Sequence, residues 1–177
     1  VGCQGGETIK IGTLLDKTGD LGSYGPPMEV GADLAIKLLQ DAGMDIVKVP
    51  GDSGTANQKS IAEATRLIDI EGVDAIVGSL SSGVTMATAT AVTIHKDIPI
   101  MSPASTSPAI STMRDNDTVF RSTVSDVAQG VVLARFAWEQ GIRYAGAIYI
   151  NNPYGEGLAI MSSNEFTRRG GTITAMV

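Results

Sequence analysis

The sequence predicts an α/β protein built on a doubly wound parallel sheet. Short aliphatic runs alternate with stretches of helical spacing from one end of the chain to the other. Glycine, proline and asparagine fall where such elements start or stop. Strands separated by helices of roughly 10 to 15 residues imply parallel βαβ units, whose right-handed crossovers cover both faces of an open sheet. No internal repeat interrupts the alternation.

Ile9-Lys10-Ile11-Gly12-Thr13-Leu14-Leu15 reads as a buried strand, followed by a turn-rich loop over residues 16–25. Pro26 and Pro27 can open a helix, because the first turn needs no amide donor. Met28, Ala32, Ala35, Leu38 and Leu39 recur at helical spacing, and Gly43 is placed to stop that helix. Ile46-Val47-Lys48-Val49 is a second strand, closed by Pro50-Gly51-Asp52. Asn57 is an N-cap candidate for a helix carrying Ile61, Ala64, Leu67 and Ile68. Residues 73–77 form a third strand, 84–95 a small-residue helix, and Ile98-Pro99-Ile100-Met101 a fourth strand.

Phe120-Arg121 opens a further segment, residues 127–140 read as a helix and 145–150 as a strand. Residues 157–169 then form a helix and 172–177 a last strand. The expected organisation is a linker over residues 1–8, a complete first lobe over 9–119, and the start of a second lobe over 120–177. Two strands are too few to bury the faces of that second lobe, so it is expected to be truncated.

The chain has 177 residues, 43% of them hydrophobic and 18% charged, which suits a packed core rather than a disordered chain. Its net charge of -6 offers no basic stripe to replace phosphate counterions, which argues against nucleic acid as a partner. No apolar run approaches the roughly 18 residues of a membrane-spanning helix. The single cysteine, Cys3, precludes an internal disulfide. Val1-Gly2-Cys3 followed by Gln4-Gly5-Gly6-Glu7-Thr8 looks like the end of a bacterial lipoprotein signal, where a small residue precedes the lipidated cysteine; a chance terminal cysteine would look the same.

In open α/β sheets ligands collect beyond the carboxyl ends of the strands, near the point where strand order reverses. Three loops are expected there: residues 18–25 after the first strand, 78–85 after the third, and 102–108 after the fourth. The last two combine hydroxyls with backbone N–H groups at a helix start, a setting that suits a carboxylate. The same serines and threonines would serve equally well as helix caps. The loop around Gly19–Gly25 fits neither G-x-G-x-x-G nor G-x-x-x-x-G-K-[ST], so no nucleotide cofactor is expected. His95, the single histidine, falls at a helix end beside Lys96 and Asp97 and reads as solvent-facing. With one histidine and one cysteine, neither a His-dependent triad nor a Cys/His metal site is expected. Asp16, Asp52 and Asp74 offer carboxylates, but nothing in the sequence pairs them. The chain is expected not to be an enzyme.

From Ile9 onward the chain resembles the type I periplasmic binding proteins, in particular the branched-chain amino acid (leucine/isoleucine/valine) group. The resemblance rests on the order of Ile9-Lys10-Ile11-Gly12, Thr18-Gly19…Tyr24-Gly25, Val77-Gly78…Ser81-Ser82, Pro99-Ile100-Met101-Ser102-Pro103-Ala104-Ser105-Thr106 with Pro108, Phe120-Arg121…Ser125-Asp126…Gln129-Gly130, and Asn152-Pro153-Tyr154-Gly155-Glu156-Gly157. It implies a two-lobed clamp that takes a small amino-acid-like ligand into an interlobe cleft by hinge closure. The closed form delivers the ligand, unaltered, to an ABC permease in the membrane.

By the same resemblance, Ser82 meets the ligand's carboxylate, its neighbour Ser81 also belongs to the ligand site, and Ala104 and Thr106 offer a carbonyl and a hydroxyl to the ligand's ammonium. Ser105 lines the cleft, Tyr154 reaches in from the second lobe, and Tyr24 stands near the side-chain pocket. Ala56 and Ser81 stand where some members carry a disulfide. The acidic partner for the ammonium lies, in the family, beyond the point corresponding to Val177. The resemblance further implies a periplasmic or extracellular location, lipid-anchored through Cys3. The 177-residue chain alone is expected to bind weakly, with an exposed half-cleft that favours dimerisation. The other reading, a ligand-sensing receptor domain of the same fold, would be marked by a signalling or membrane segment after Val177; a regulator would need a basic DNA-binding segment.

Overall fold

A computed structural model describes residues 8–177. Cys3 and most of the expected linker lie outside the described residues. The chain divides into two compact units: one extends to Ala104 and takes in Arg114–Ser122, the other comprises Ser105–Met113 and Thr123–Val177.

The first unit is a five-stranded parallel sheet. Its strands are β1 (Ile9–Leu15), β2 (Ile46–Asp52), β3 (Ala75–Gly78), β4 (Ile100–Ser102) and β5 (Val119–Arg121), in the order β2-β1-β3-β4-β5. β2 runs three residues beyond the run Ile46–Val49 that marked it in sequence, so Pro50 lies inside it. An edge strand bonds on one side only and can absorb the missing amide.

Helix α1 (Gly25–Asp41) begins with prolines in its first turn, as the sequence predicts. Its apolar spacing marked a covered face only in part, however: Met28 and Ala32 are half-buried, whereas Ala35, Leu38 and Leu39 are exposed and Glu29 is buried. Helix α2 (Asn57–Asp69) is capped by Ala56 with no side-chain bond, so Asn57 is its first residue rather than its N-cap. The run expected over 84–95 begins earlier, as α3 (Ser82–Thr88), and continues through a π segment (Ala89–Thr93) and a 3-10 turn (Ile94–Lys96). His95 is exposed. The core is formed by Leu14, Leu15, Ile76 and Ile100 from the sheet with Ala64, Leu67 and Ala89 from the helices.

Phe120 and Arg121 pair with Met101 and Ser102 inside this sheet. That differs from the second-lobe start expected at residue 120. A three-residue strand carries no pattern of its own, and only pairing with β4 assigns it.

The second unit contains the 3-10 turn Pro108–Thr112, α4 (Asp126–Glu139), β6 (Tyr144–Ala147), α5 (Pro153–Arg168) and β7 (Thr172–Met176). β6 and β7 form a two-stranded parallel sheet. Helix α5 starts a turn earlier than its apolar spacing indicated, because Asn152 caps it through Tyr154 N and Gly155 N with Pro153 at the first position. The two helices pack closely at Gly130, where an added Cβ would stand 2.6 Å from Met161 Cβ. Trp138 meets Phe166 edge-on at 6.5 Å and carries the Arg143 guanidinium 3.6 Å from its ring centroid.

Candidate functional site

The order β2-β1-β3 means that the chain crosses over β1 after β2, so strand order reverses between β1 and β3. The loops leaving the carboxyl ends of these strands diverge there, which leaves room for a ligand. In the first unit that edge gathers the loop after β1 with Tyr24, the turn after β3 with Ser81 and Ser82, and the exit of β4 with Ala104.

Asp16 organises this edge. It is fully buried and follows the apolar strand β1 directly. It accepts from the Ser53 hydroxyl, from Thr55 Oγ1 at 2.7 Å and from the Leu80 backbone N–H at 3.2 Å. One carboxylate thereby ties together the loops after β1, β2 and β3. Asp52, at the end of β2, works nearer the surface. It accepts from Lys17 N at 2.8 Å, Gly54 N at 3.0 Å, Thr18 Oγ1 at 2.7 Å and Lys59 Nζ at 2.5 Å.

Burial pushes the Asp52 pKa up, but the Lys59 and Thr18 side chains and the amides of Lys17 and Gly54 more than offset that, holding it below the ordinary carboxylate range. A carboxylate with a depressed folded-state pKa contributes stability that is present above the unfolded value and lost as pH falls through the folded one. Asp52→Asn is therefore expected to flatten part of the acid limb of stability below about pH 4. Urea midpoints of the two proteins between about pH 2 and 5 check this; parallel curves would reject it.

A second network is made of hydroxyls. Ser60 Oγ lies 3.1 Å from Ser79 Oγ and 2.7 Å from Thr88 Oγ1. The Ser79 carbonyl accepts from Thr85 Oγ1 at 3.1 Å and from the Ser102 hydroxyl, which itself accepts from Ala104 N at 3.3 Å. The hydroxyls of Ser79, Thr85 and Ser102 thus fix the turns from within. Ser81 is the N-cap residue of α3 yet makes no side-chain cap bond, so the capping alternative is not realised at that position. Ser82, the first residue of α3, is buried, and Tyr24, the N-cap of α1, is exposed. Ala56 is exposed and Ser81 half-buried.

In the second unit Ser105 is buried and Thr106 half-buried. Thr106 Oγ1 donates to Asp126 Oδ2 at 2.8 Å, and Asp126 N donates back to the Thr106 carbonyl at 2.9 Å. Ser107 caps the following 3-10 turn, accepting from Ala109 N, so capping is realised here. Tyr154 helps to line an apolar hollow of about 480 Å³ with Leu133, Ala137, Ile148, Leu158 and Phe166. Among the described residues no group of three or more His, Cys, Asp or Glu is placed to hold a metal ion, and no helix is long and apolar enough to cross a membrane.

Reading the sequence singled out the hydroxyl loops but missed Asp16 and Asp126 as organising groups. The available signals were an aspartate directly after the Leu14-Leu15 end of a strand, and one directly after a capping serine.

Comparison with known proteins agrees with this architecture. The periplasmic binding protein family model matches residues 8–177. The leucine-, isoleucine-, valine-, threonine- and alanine-binding protein of Pseudomonas aeruginosa is 29% identical over 160 residues, which is 86% of this chain and 42% of that protein. The crystal structure of a leucine binding protein from Thermotoga maritima superposes with a TM-score of 0.82 at 26% identity, over 96% of this chain and 49% of that one. A solute binding protein of an ABC transporter from R. palustris, solved in complex with benzoate, shares the fold with a TM-score of 0.85 at 24% identity, over 97% of this chain and 48% of that one. The chain thus spans about half the length of the relatives it matches. A parallel sheet with this strand order, matched over all the described residues, places the chain in the periplasmic binding protein family.

Proposed function

We propose that this chain is part of the solute-binding component of an ABC importer, holding a small amino-acid-like ligand and releasing it unaltered to a membrane permease. The observation that carries the reading is the edge where strand order reverses. There Ser81 and Ser82, at the start of α3, follow the strand next to the one that delivers Ala104. A carboxylate suits the helix start and its hydroxyls. The relatives support the class: one is named for binding leucine, isoleucine, valine, threonine and alanine, another for leucine.

In this reading Ser82 takes the carboxylate, Ala104 and Thr106 take the ammonium, and Ser81, Ser105, Tyr24 and Tyr154 line the site. Closure of the whole protein about its hinge sequesters the ligand. Export to the periplasm with an anchor at Cys3 completes the proposal.

The test is a thermal-shift and calorimetric screen of the common amino acids, made on the protein with whatever its gene encodes beyond Val177. An amino acid at about 100 times its dissociation constant adds about 2.7 kcal/mol of stability. Ser82→Ala is expected to weaken binding by about 1.5–3 kcal/mol, the worth of a hydrogen bond to a charged group, while the protein stays folded. If no amino acid stabilises the wild type, the reading falls.

A further inference from the structure

Thr55, in the loop after β2, reaches across to the loop after β1. Its Oγ1 accepts from the Leu21 amide at 2.9 Å and donates to the buried Asp16 carboxylate at 2.7 Å. Leu21 passes the tie on, because its carbonyl accepts from Tyr24 N at 2.9 Å. Asp52 and Lys59 hold the same loop at Lys17 and Thr18, near its start, whereas Thr55 holds it further along, next to Tyr24. The backbones of the two loops also meet: a Cβ at Gly19 would stand 2.0 Å from the Gly54 carbonyl oxygen. Asp16 accepts in addition from Leu80 N, directly before Ser81. One hydroxyl thus stands between the stretch that carries Tyr24 and the carboxylate that fixes the Ser81–Ser82 turn.

The backbone of Thr55 is in an unfavourable state. Its φ is 53°, in the left-handed region, next to Gly54 at 61°. Glycine enters that region readily, but a β-branched residue there is an outlier that persists only where its surroundings hold it. What threonine adds over glycine is a hydroxyl, which gives one proton and accepts in the same place. Here Asp16 takes the proton and the Leu21 amide takes a lone pair. We propose that Thr55 is a positioning residue: its hydroxyl holds Tyr24 in place against the Ser81–Ser82 turn before a ligand arrives. The proposal rests on the reading above, in which Tyr24 lines the site. It goes further by assigning the order of that half of the site to a side chain outside the set that meets the ligand. A loop already ordered does not have to be ordered on binding, and the affinity keeps what that ordering would cost.

The experiment uses the protein with whatever its gene encodes beyond Val177 and reads two quantities. Hydrogen exchange of the Leu21 and Tyr24 amides, followed by NMR without ligand, reports the order of the loop. Calorimetry with L-leucine, L-valine and L-alanine, taking whichever the wild type binds most tightly as the probe, reports what that order contributes to binding. In Thr55→Val, which keeps the shape and removes the hydroxyl, both amides are expected to exchange about fivefold faster or more, while the amides of β1 keep their wild-type rates. Affinity for the probe falls by about the same factor. In a Tyr24→Ala background the same substitution changes affinity less than about twofold, because its effect passes through Tyr24. Thr55→Ser keeps the hydroxyl and is expected to restore both readouts.

If Thr55→Val fails to fold, Thr55→Gly decides on the same readouts, since it removes the hydroxyl while suiting the left-handed backbone. Unchanged exchange at Leu21 and Tyr24, or unchanged affinity despite faster exchange, overturns the role of Thr55 and leaves the ligand reading intact. So does an affinity loss that is equally large without the Tyr24 ring, which marks a general structural effect. A wild type that binds none of the three amino acids overturns the proposal, and absence of binding to every amino acid overturns the ligand reading with it.

Discussion

Gly25→Ala is expected to destabilise the first unit by about 3 kcal/mol or more, or to prevent its folding. A Cβ at Gly25 would stand 1.9 Å from the Asp16 carbonyl oxygen and 2.5 Å from its carbon. Both atoms belong to the backbone that leaves β1, so no side chain can swing aside. Either α1 moves away from the sheet or the β1 exit moves, and the second displaces Asp16 itself. The same change six positions along the helix has the opposite sign. A Cβ at Gly31 meets nothing within 4 Å, and the residue is exposed. Gly31→Ala is therefore expected to stabilise by about 0.5–1 kcal/mol, through the restricted unfolded chain and better helix propensity. Denaturant midpoints of the two variants check the pair. Equal shifts would mean that the close approach at Gly25 is not a packing constraint.

Asp16→Ala is expected to cost about 3–5 kcal/mol, because it removes a fully buried carboxylate that accepts from three donors. The Ser53 and Thr55 hydroxyls could rotate toward other acceptors, but the Leu80 amide cannot. Asp16→Asn separates the contributions. Its amide oxygen can still accept from Leu80 N, while its NH2 can donate to Thr55 Oγ1, which now accepts. Its cost is expected to be about 1–2 kcal/mol. Measured unfolding free energies that rank Asn with Ala would show that charge, not hydrogen-bond count, is what the site needs. Equal stability of all three proteins would remove Asp16 as the organiser of this edge. Since Leu80 leads into Ser81 and Ser82, the Ala variant is also expected to loosen the turn that the proposed function assigns to the carboxylate.

Local chemistry was readable from the chain wherever one residue decides the outcome. Pro26 and Pro27 marked the start of α1, and the run from Ile9 to Leu15 marked a buried strand, because those features act through their own backbone or through burial on both faces. Pro153 carried the same signal as Pro26, and the apolar spacing after Gly157 masked it. Spacing failed on α1 for a complementary reason. A period states which residues share a face, and it leaves open whether anything covers that face, as the exposure of Ala35, Leu38 and Leu39 shows.

The sequence by itself determined the alternation of strands and helices, the family likeness and the hydroxyl-bearing loops. Only the tertiary structure decided which of those hydroxyls are internal ties, that β5 joins the first sheet, and that Asp16 and Asp126 hold the loops. The physical reason is range. Propensity and capping act over a few neighbouring residues, whereas a carboxylate at residue 16 finds its donors at 53, 55 and 80 only after three strands have been laid side by side.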